Sequence, residues 1–164
     1  MGFPVVDLEP APGPPVGQPA PTFERPLVTA ECWEDRTLTD VAGDRTVLVF
    51  TPMVGSFVAR YLWQAVLERG WPDRDVELVG ISASTPYGIS RFVDDHRIDC
   101  GIFADPGNGI ARSYGLTHDL DGMAGLEEPR PAVVVLGPDR AVEDWWAARE
   151  WPSFPPYEDL EEAF

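Results

Sequence analysis

The sequence predicts an α/β fold, a mixed β-sheet flanked by helices, and three observations carry the prediction. Short apolar runs alternate with segments of helical periodicity along most of the chain. The last two apolar runs, PAVVVLG (131–137) and AVEDWWAA (141–148), are separated only by Pro138, Asp139 and Arg140, so they form a hairpin and not a crossover. The 164 residues are 44% hydrophobic and 24% charged, the balance of one globular domain with a sizeable core.

Each element has its own local reason. Residues 1–15 read as an extended, Pro-rich lead-in to a domain at 16–164, with Pro4, Pro10, Pro12, Pro14 and Pro15 opposing regular structure. Residues 21–34 hold short β-type segments, and LTDVAGD (38–44) is a brief helical step. RTVLVFT (45–51) is the continuous apolar run of a strand covered on both faces. SFVARYLWQAVLERG (56–70) is helical: Val58, Leu62 and Val66 form one apolar row, and Ala59, Trp63 and Leu67 another. Gly70 is placed to end it. VELVGISA (76–83) is the next strand. Thr85 and Pro86 are an N-cap and first-turn pair for a helix whose apolar stripe is Ile89, Phe92 and Val93. CGIFA (100–104) is a short strand, and Asp105–Pro106 caps a short helix ending at Tyr114–Gly115. In the strand 141–148, Trp145 and Trp146 point to opposite faces. EDLEEAF (158–164) closes as an acidic helix, and its carboxylates read as a solvated face.

Charge excludes several functions. Asp and Glu number 28 against 12 basic residues, every one an Arg, for a net charge of -16. A surface this acidic repels nucleic acid and anionic membranes. It stays soluble in strong salt, where self-repulsion is screened. Acid excess without Lys resembles proteins of salt-loving archaea, so a halophilic source is expected. No apolar run approaches the ~20 residues of a membrane span, and MGFPVVDLEP is unlike a signal peptide. The expected location is the cytoplasm. The two cysteines, Cys32 and Cys100, offer neither a disulfide framework nor a CxxC motif.

Five segments, in order, resemble the peroxiredoxins, the alkyl hydroperoxide reductase and thiol-specific antioxidant (redoxin) family of the thioredoxin-like superfamily. They are VGQPAPTFERP (16–26), LTDVAGDRTVLVFTP (38–52), VELVGISASTPYGISRF (76–92), GIFADPGNGIARSYGL (101–116) and PAVVVLGPDRAVEDWW (131–146), and the likeness runs over about residues 16–160. The resemblance implies a thioredoxin-like, peroxiredoxin-type sheet, an antioxidant role in cell redox homeostasis, no cofactor, and a homodimer.

The family's reaction centre reads P-x-x-x-[ST]-x-x-C. Here PMVGSFVA supplies Pro52 and Ser56 but puts Ala59 at the cysteine position. A thiolate in a first helical turn is stabilised by free N–H groups and the helix dipole, and becomes a sulfenic acid on attacking a peroxide. A methyl group can do neither. The resemblance further implies an arginine beside the site. Arg130 in EEPRPAVVVLGPD stands where one branch carries it; Asn108 occupies the position used by the other. A surface pairing of Arg130 with Glu127 or Glu128 is the alternative. Pro131 matches a cis-Pro position of thioredoxins, so Arg130–Pro131 is a candidate cis bond.

The resulting expectation is a non-catalytic binding or regulatory protein, a pseudoenzyme. Its degenerate oxyanion pocket, at Ser56 and Arg130, would accept a small anion or a carboxylate. The alternative is a thiol-dependent hydroperoxide reductase using Cys100 or Cys32. His118, Asp119 and Asp121 form a nominal metal cluster but read more simply as a polar turn, so no metal is expected. His96 ends the 86–97 helix. Phe57, Tyr61, Trp63 and Tyr87 suggest an aromatic face through which two copies would pair.

Overall fold

The structure, a computed structural model, describes residues 5–119 and 125–164. Along the chain run β1 (Val6–Asp7), β2 (Glu24–Val28), β3 (Trp33–Thr37), α1 (Leu38–Val41), β4 (Thr46–Thr51), α2 (Phe57–Glu68), β5 (Glu77–Ser82), α3 (Pro86–Asp95), β6 (Ile102–Ala104), α4 (Gly109–Ser113), β7 (Thr117–His118), β8 (Glu128–Pro129), β9 (Ala132–Leu136), β10 (Val142–Ala147), β11 (Glu150–Trp151) and α5 (Tyr157–Glu161). Among the described residues a seven-stranded sheet has the order β10-β9-β4-β5-β6-β2-β3. Pairing is parallel for β4 with β5 and β5 with β6, and antiparallel for β9 with both β4 and β10. The mixed sheet is therefore as the sequence predicts, and the 45–51 run lies inside it, with a strand paired on either side.

The sheet has a core on each side. Val47 and Val49 of β4 pack beneath α2 and α3, against Leu62, Trp63, Val66, Ile89 and Val93. Leu48 and Phe50 point the other way, into a cluster with Ile110, Ala111 and Tyr114 of the α4 layer. Each such side chain contributes about 1.5–3 kcal/mol on full burial, which explains why the run is apolar at every position. Trp145 packs on the second cluster and Trp146 on the first, so the pair does straddle β10.

Local signals set the helix ends. Ser56 Oγ accepts a hydrogen bond from Ala59 N–H at 3.1 Å and starts α2. Gly70, at φ 70°, takes the left-handed turn just beyond its last residues. Thr85 Oγ1 accepts from Gly88 N–H at 3.3 Å, with Pro86 in the first turn of α3. Asp105 caps α4 from farther away than its sequence position suggests. The helix begins only at Gly109, after Asn108 in left-handed geometry, and the carboxylate reaches forward to accept from Ile110 N–H at 2.7 Å. The close approach of α2 to the sheet requires Gly80: a Cβ there would lie 2.5 Å from the Trp63 ring.

Three features depart from expectation. Residues 24–28 and 33–37 form a hairpin, which the polar WEDRT segment hid from a search for apolar alternation. Beyond residues 1–4, which lie outside those described, the lead-in is tied down: Val6 pairs with Trp151, and Leu8 N–H donates to Arg149 O at 2.9 Å. The closing acidic helix is not wholly solvated. Glu161 accepts from Arg69 at 2.6 and 2.8 Å and from the indole N–H of buried Trp71 at 2.7 Å, which docks α5 on the end of α2.

Candidate functional site

The β4–α2 junction lies at the carboxyl ends of the parallel strands, where Thr51 is in register with Ser82, and Ser82 with Ala104. Three side chains hold its loop. Ser82 Oγ donates to Pro52 O at 3.1 Å, Val54 N–H donates to Ser84 Oγ at 3.0 Å, and Met53 N–H donates to Glu128 Oε2 at 3.0 Å. Pro52, Ser56 and Ala59 thus sit together on one well-anchored strand–loop–helix unit. Ala59 is fully buried, and its amide is the donor that Ser56 caps.

Arg130 has a different environment from the one its sequence position implies. Its Nη1 donates to Glu9 O at 2.7 Å and Ala148 O at 3.0 Å, while Nη2 and Nε donate to Thr117 O at 3.0 and 3.3 Å. Burial lowers its pKa from the ordinary guanidinium value. Four of its five N–H donors are given to main-chain carbonyls, so Arg130 clasps three segments, and the small-anion expectation draws no support from this geometry. The surface pairing does not describe it either, since Glu127 is bonded to Arg112 at 2.8 Å. The cis bond lies elsewhere as well: it is Trp151–Pro152, not Arg130–Pro131. Asn108, at the other arginine position, is buried.

The two thiols differ. Cys100 is half-buried at the entrance to β6, and burial pushes its pKa up to about 12, which keeps the unreactive thiol form at neutral pH. Cys32 is exposed in the β2–β3 turn, where its carbonyl accepts from Thr29 N–H at 2.9 Å. Neither stands in the first turn of a helix. Among the described residues no three His, Cys, Asp or Glu side chains gather as a metal site. Asp121 of the HDLDG segment lies outside the described residues, and His118 is buried in β7. His96 caps α3, with its ring 4.6 Å from that of Phe92. Among the described residues no helix is long and apolar enough to cross a membrane.

Sequence reasoning missed the anchors Ser82, Ser84 and Glu128. Hydroxyls at the carboxyl end of a parallel strand were a usable signal. Glu128, set between another acid and Pro129, gave none that separates it from a surface carboxylate.

A sheet of this order, carrying a Pro-x-x-x-Ser loop ahead of a buried helix, defines a thioredoxin-like protein of peroxiredoxin type. The fold of Mycobacterium tuberculosis AhpC superposes with a TM-score of 0.74 at 13% identity, over 91% of this chain and 90% of that one. A Plasmodium vivax 2-Cys peroxiredoxin gives 0.73 at 18% identity, over 88% and 77%. The AhpC/TSA family pattern matches residues 16–144, and the chain belongs to that family. It is 26% identical over 120 residues to peroxiredoxin TSA1-B of Candida albicans, covering 68% of this chain and 61% of that protein. Against peroxiredoxin prdx-2 of Caenorhabditis elegans it is 28% identical over 118 residues, covering 66% and 59%. The chain therefore spans about three fifths of the length of the curated relatives it matches.

Proposed function

We propose that this family member is a non-catalytic binding or regulatory module, a pseudoenzyme in which the peroxidase scaffold persists without its nucleophile. One observation carries the reading: the residue in the first turn of α2, under the Ser56 cap, is the buried methyl group of Ala59. A peroxide arriving there meets no sulfur to oxidise. Cys100 is poorly ionised, and Cys32 lies on a turn outside the junction. Any antioxidant role, in a cytoplasmic and salt-rich setting, would then work through binding.

The test is consumption of hydrogen peroxide and an alkyl hydroperoxide with a dithiol donor in molar salt, for the wild type, Cys32→Ser and Cys100→Ser. The expected result is the same slow background in all three. Rapid turnover abolished by either substitution would overturn the proposal in favour of the thiol-dependent reductase.

Association with a second copy belongs to the same proposal. Tyr87 is 76% exposed, Tyr61 48% and Trp33 41%. The Trp33 and Tyr87 rings meet edge-on at 5.3 Å. This face differs from the one expected: Trp63 is buried against Gly80 and takes no part, while Trp33 joins.

A further inference from the structure

A buried acid–imidazole pair stands apart from the degenerate centre. His118 and Glu128 are opposite one another in the β7–β8 ribbon. His118 Nε2 lies 3.4 Å from Glu128 Oε1, and each side chain is 3% exposed. The other oxygen of Glu128 receives the Met53 N–H, in the loop that leads to α2. On its far side the imidazole lies 5.0 Å from the Trp151 ring, and Trp151 is the residue with which Val6 of the N-terminal segment pairs. One imidazole therefore stands between the β4–α2 junction and the strap formed by β1 and β11.

Its protonation changes what it can hold. Nε2 facing a carboxylate oxygen at this distance requires a proton between them, because both atoms otherwise present lone pairs. With one proton on the ring, at Nε2, the pair carries the single negative charge of Glu128. A second proton makes it an imidazolium–carboxylate pair with no net charge, and gives Trp151 a cation to stack on. The hollow outside His118 is lined by four acidic residues, Asp7, Glu9, Asp119 and Glu127, and by Arg130. Arg112 meets Glu127 from α4. The second proton is thus taken up amid surplus negative charge.

We propose that His118 is a proton-operated latch that couples the N-terminal strap to the β4–α2 junction. As imidazolium it holds Glu128 on one side and Trp151 on the other, and both segments are fastened. As neutral imidazole it keeps only the Nε2–H contact with the carboxylate and loses the ion pair and the cation–π contact, and both segments loosen together. The stabilisation is present at low pH and is lost as pH rises through the His118 transition.

Carbon-13 labelling of histidine tests this directly, because the chain has only two and His96→Gln identifies the His118 signal. In molar salt between about pH 5 and 9, the His118 ring should titrate with a midpoint above the ordinary imidazole value of about 6.5. Exchange of the Met53 and Leu8 amides, corrected for intrinsic rate, should rise about tenfold through the same transition. Glu128→Gln should lower the midpoint and unfasten the loop at every pH. His118→Gln should remove the pH dependence at both amides; if it does not fold, the wild-type and Glu128→Gln titrations still decide. A His118 that keeps one protonation state across this range, or that titrates without a response at both amides, overturns the proposal.

Discussion

Removing the Glu161 carboxylate should loosen the carboxyl end of the chain, by an amount that follows from its partners. Glu161 takes two hydrogen bonds from Arg69 and one from Trp71, and Arg74 lies 3.5 Å away. The bonds from Arg69, then that from Trp71, hold its carboxyl at about 2 in place of the ordinary 4.5. Taken at face value, that depression corresponds to about 3 kcal/mol. Arg69 and Arg74 are each about one third exposed, so solvent screens part of the attraction and leaves about 2 kcal/mol. Glu161→Ala also leaves the indole N–H of fully buried Trp71 without its acceptor, which costs about 1–3 kcal/mol. Glu161→Gln keeps an acceptor oxygen and loses the charge, so it should cost less than the alanine variant. Because the folded-state pKa is depressed, the contribution is complete above about pH 4.5 and fades as pH falls toward 2. Urea unfolding in molar salt at pH 7 should rank wild type above Glu161→Gln above Glu161→Ala, and the gap between wild type and Glu161→Gln should close by about pH 2. Equal midpoints at pH 7, or a gap that persists undiminished in acid, would refute the reasoning.

Gly80→Ala should destabilise by about 2 kcal/mol through overpacking, since the new methyl would stand 2.5 Å from the Trp63 ring and 2.9 Å from Ile102 Cγ1; Trp63→Leu in the same chain should restore part of that loss in chemical denaturation. Sedimentation across a salt series should find a dimer in molar salt that dissociates as salt falls, because a charge of -16 per chain opposes pairing until it is screened. Tyr87→Ser with Tyr61→Ser should leave a monomer throughout, and a wild type that is monomeric at every salt concentration would remove the interface.

What could be read from the sequence was what local chemistry dictates. Thr46–Thr51 and Ala132–Leu136 are legible because a strand covered on both faces has no room for a polar alternation, and Thr85 because a cap acts within three residues of itself. The β2–β3 hairpin is obscure because it lies at the sheet's open edge, where Glu34, Asp35 and Arg36 remain in solvent. Arg130 was placed at its strand end but not its partners, which are carbonyls of Glu9, Thr117 and Ala148, groups every residue possesses. Glu161 looked like one acid among many until Arg69, Trp71 and Arg74 arrived from a distant turn.

The Arg130 clasp also bears on how quickly the molecule comes apart. The acceptor at Glu9 is 121 residues away along the chain, whereas those at Thr117 and Ala148 are 13 and 18 away. Closing a loop of that length is costly before the sheet between its ends has assembled, so this bond should form late, after the folding transition state. Interactions of that kind slow escape from the native basin and leave the rate of entry unchanged. An arginine that the family resemblance assigns to peroxide chemistry should thus lengthen the lifetime of this chain's native state, and Arg130→Met should speed unfolding in denaturant more than it slows refolding.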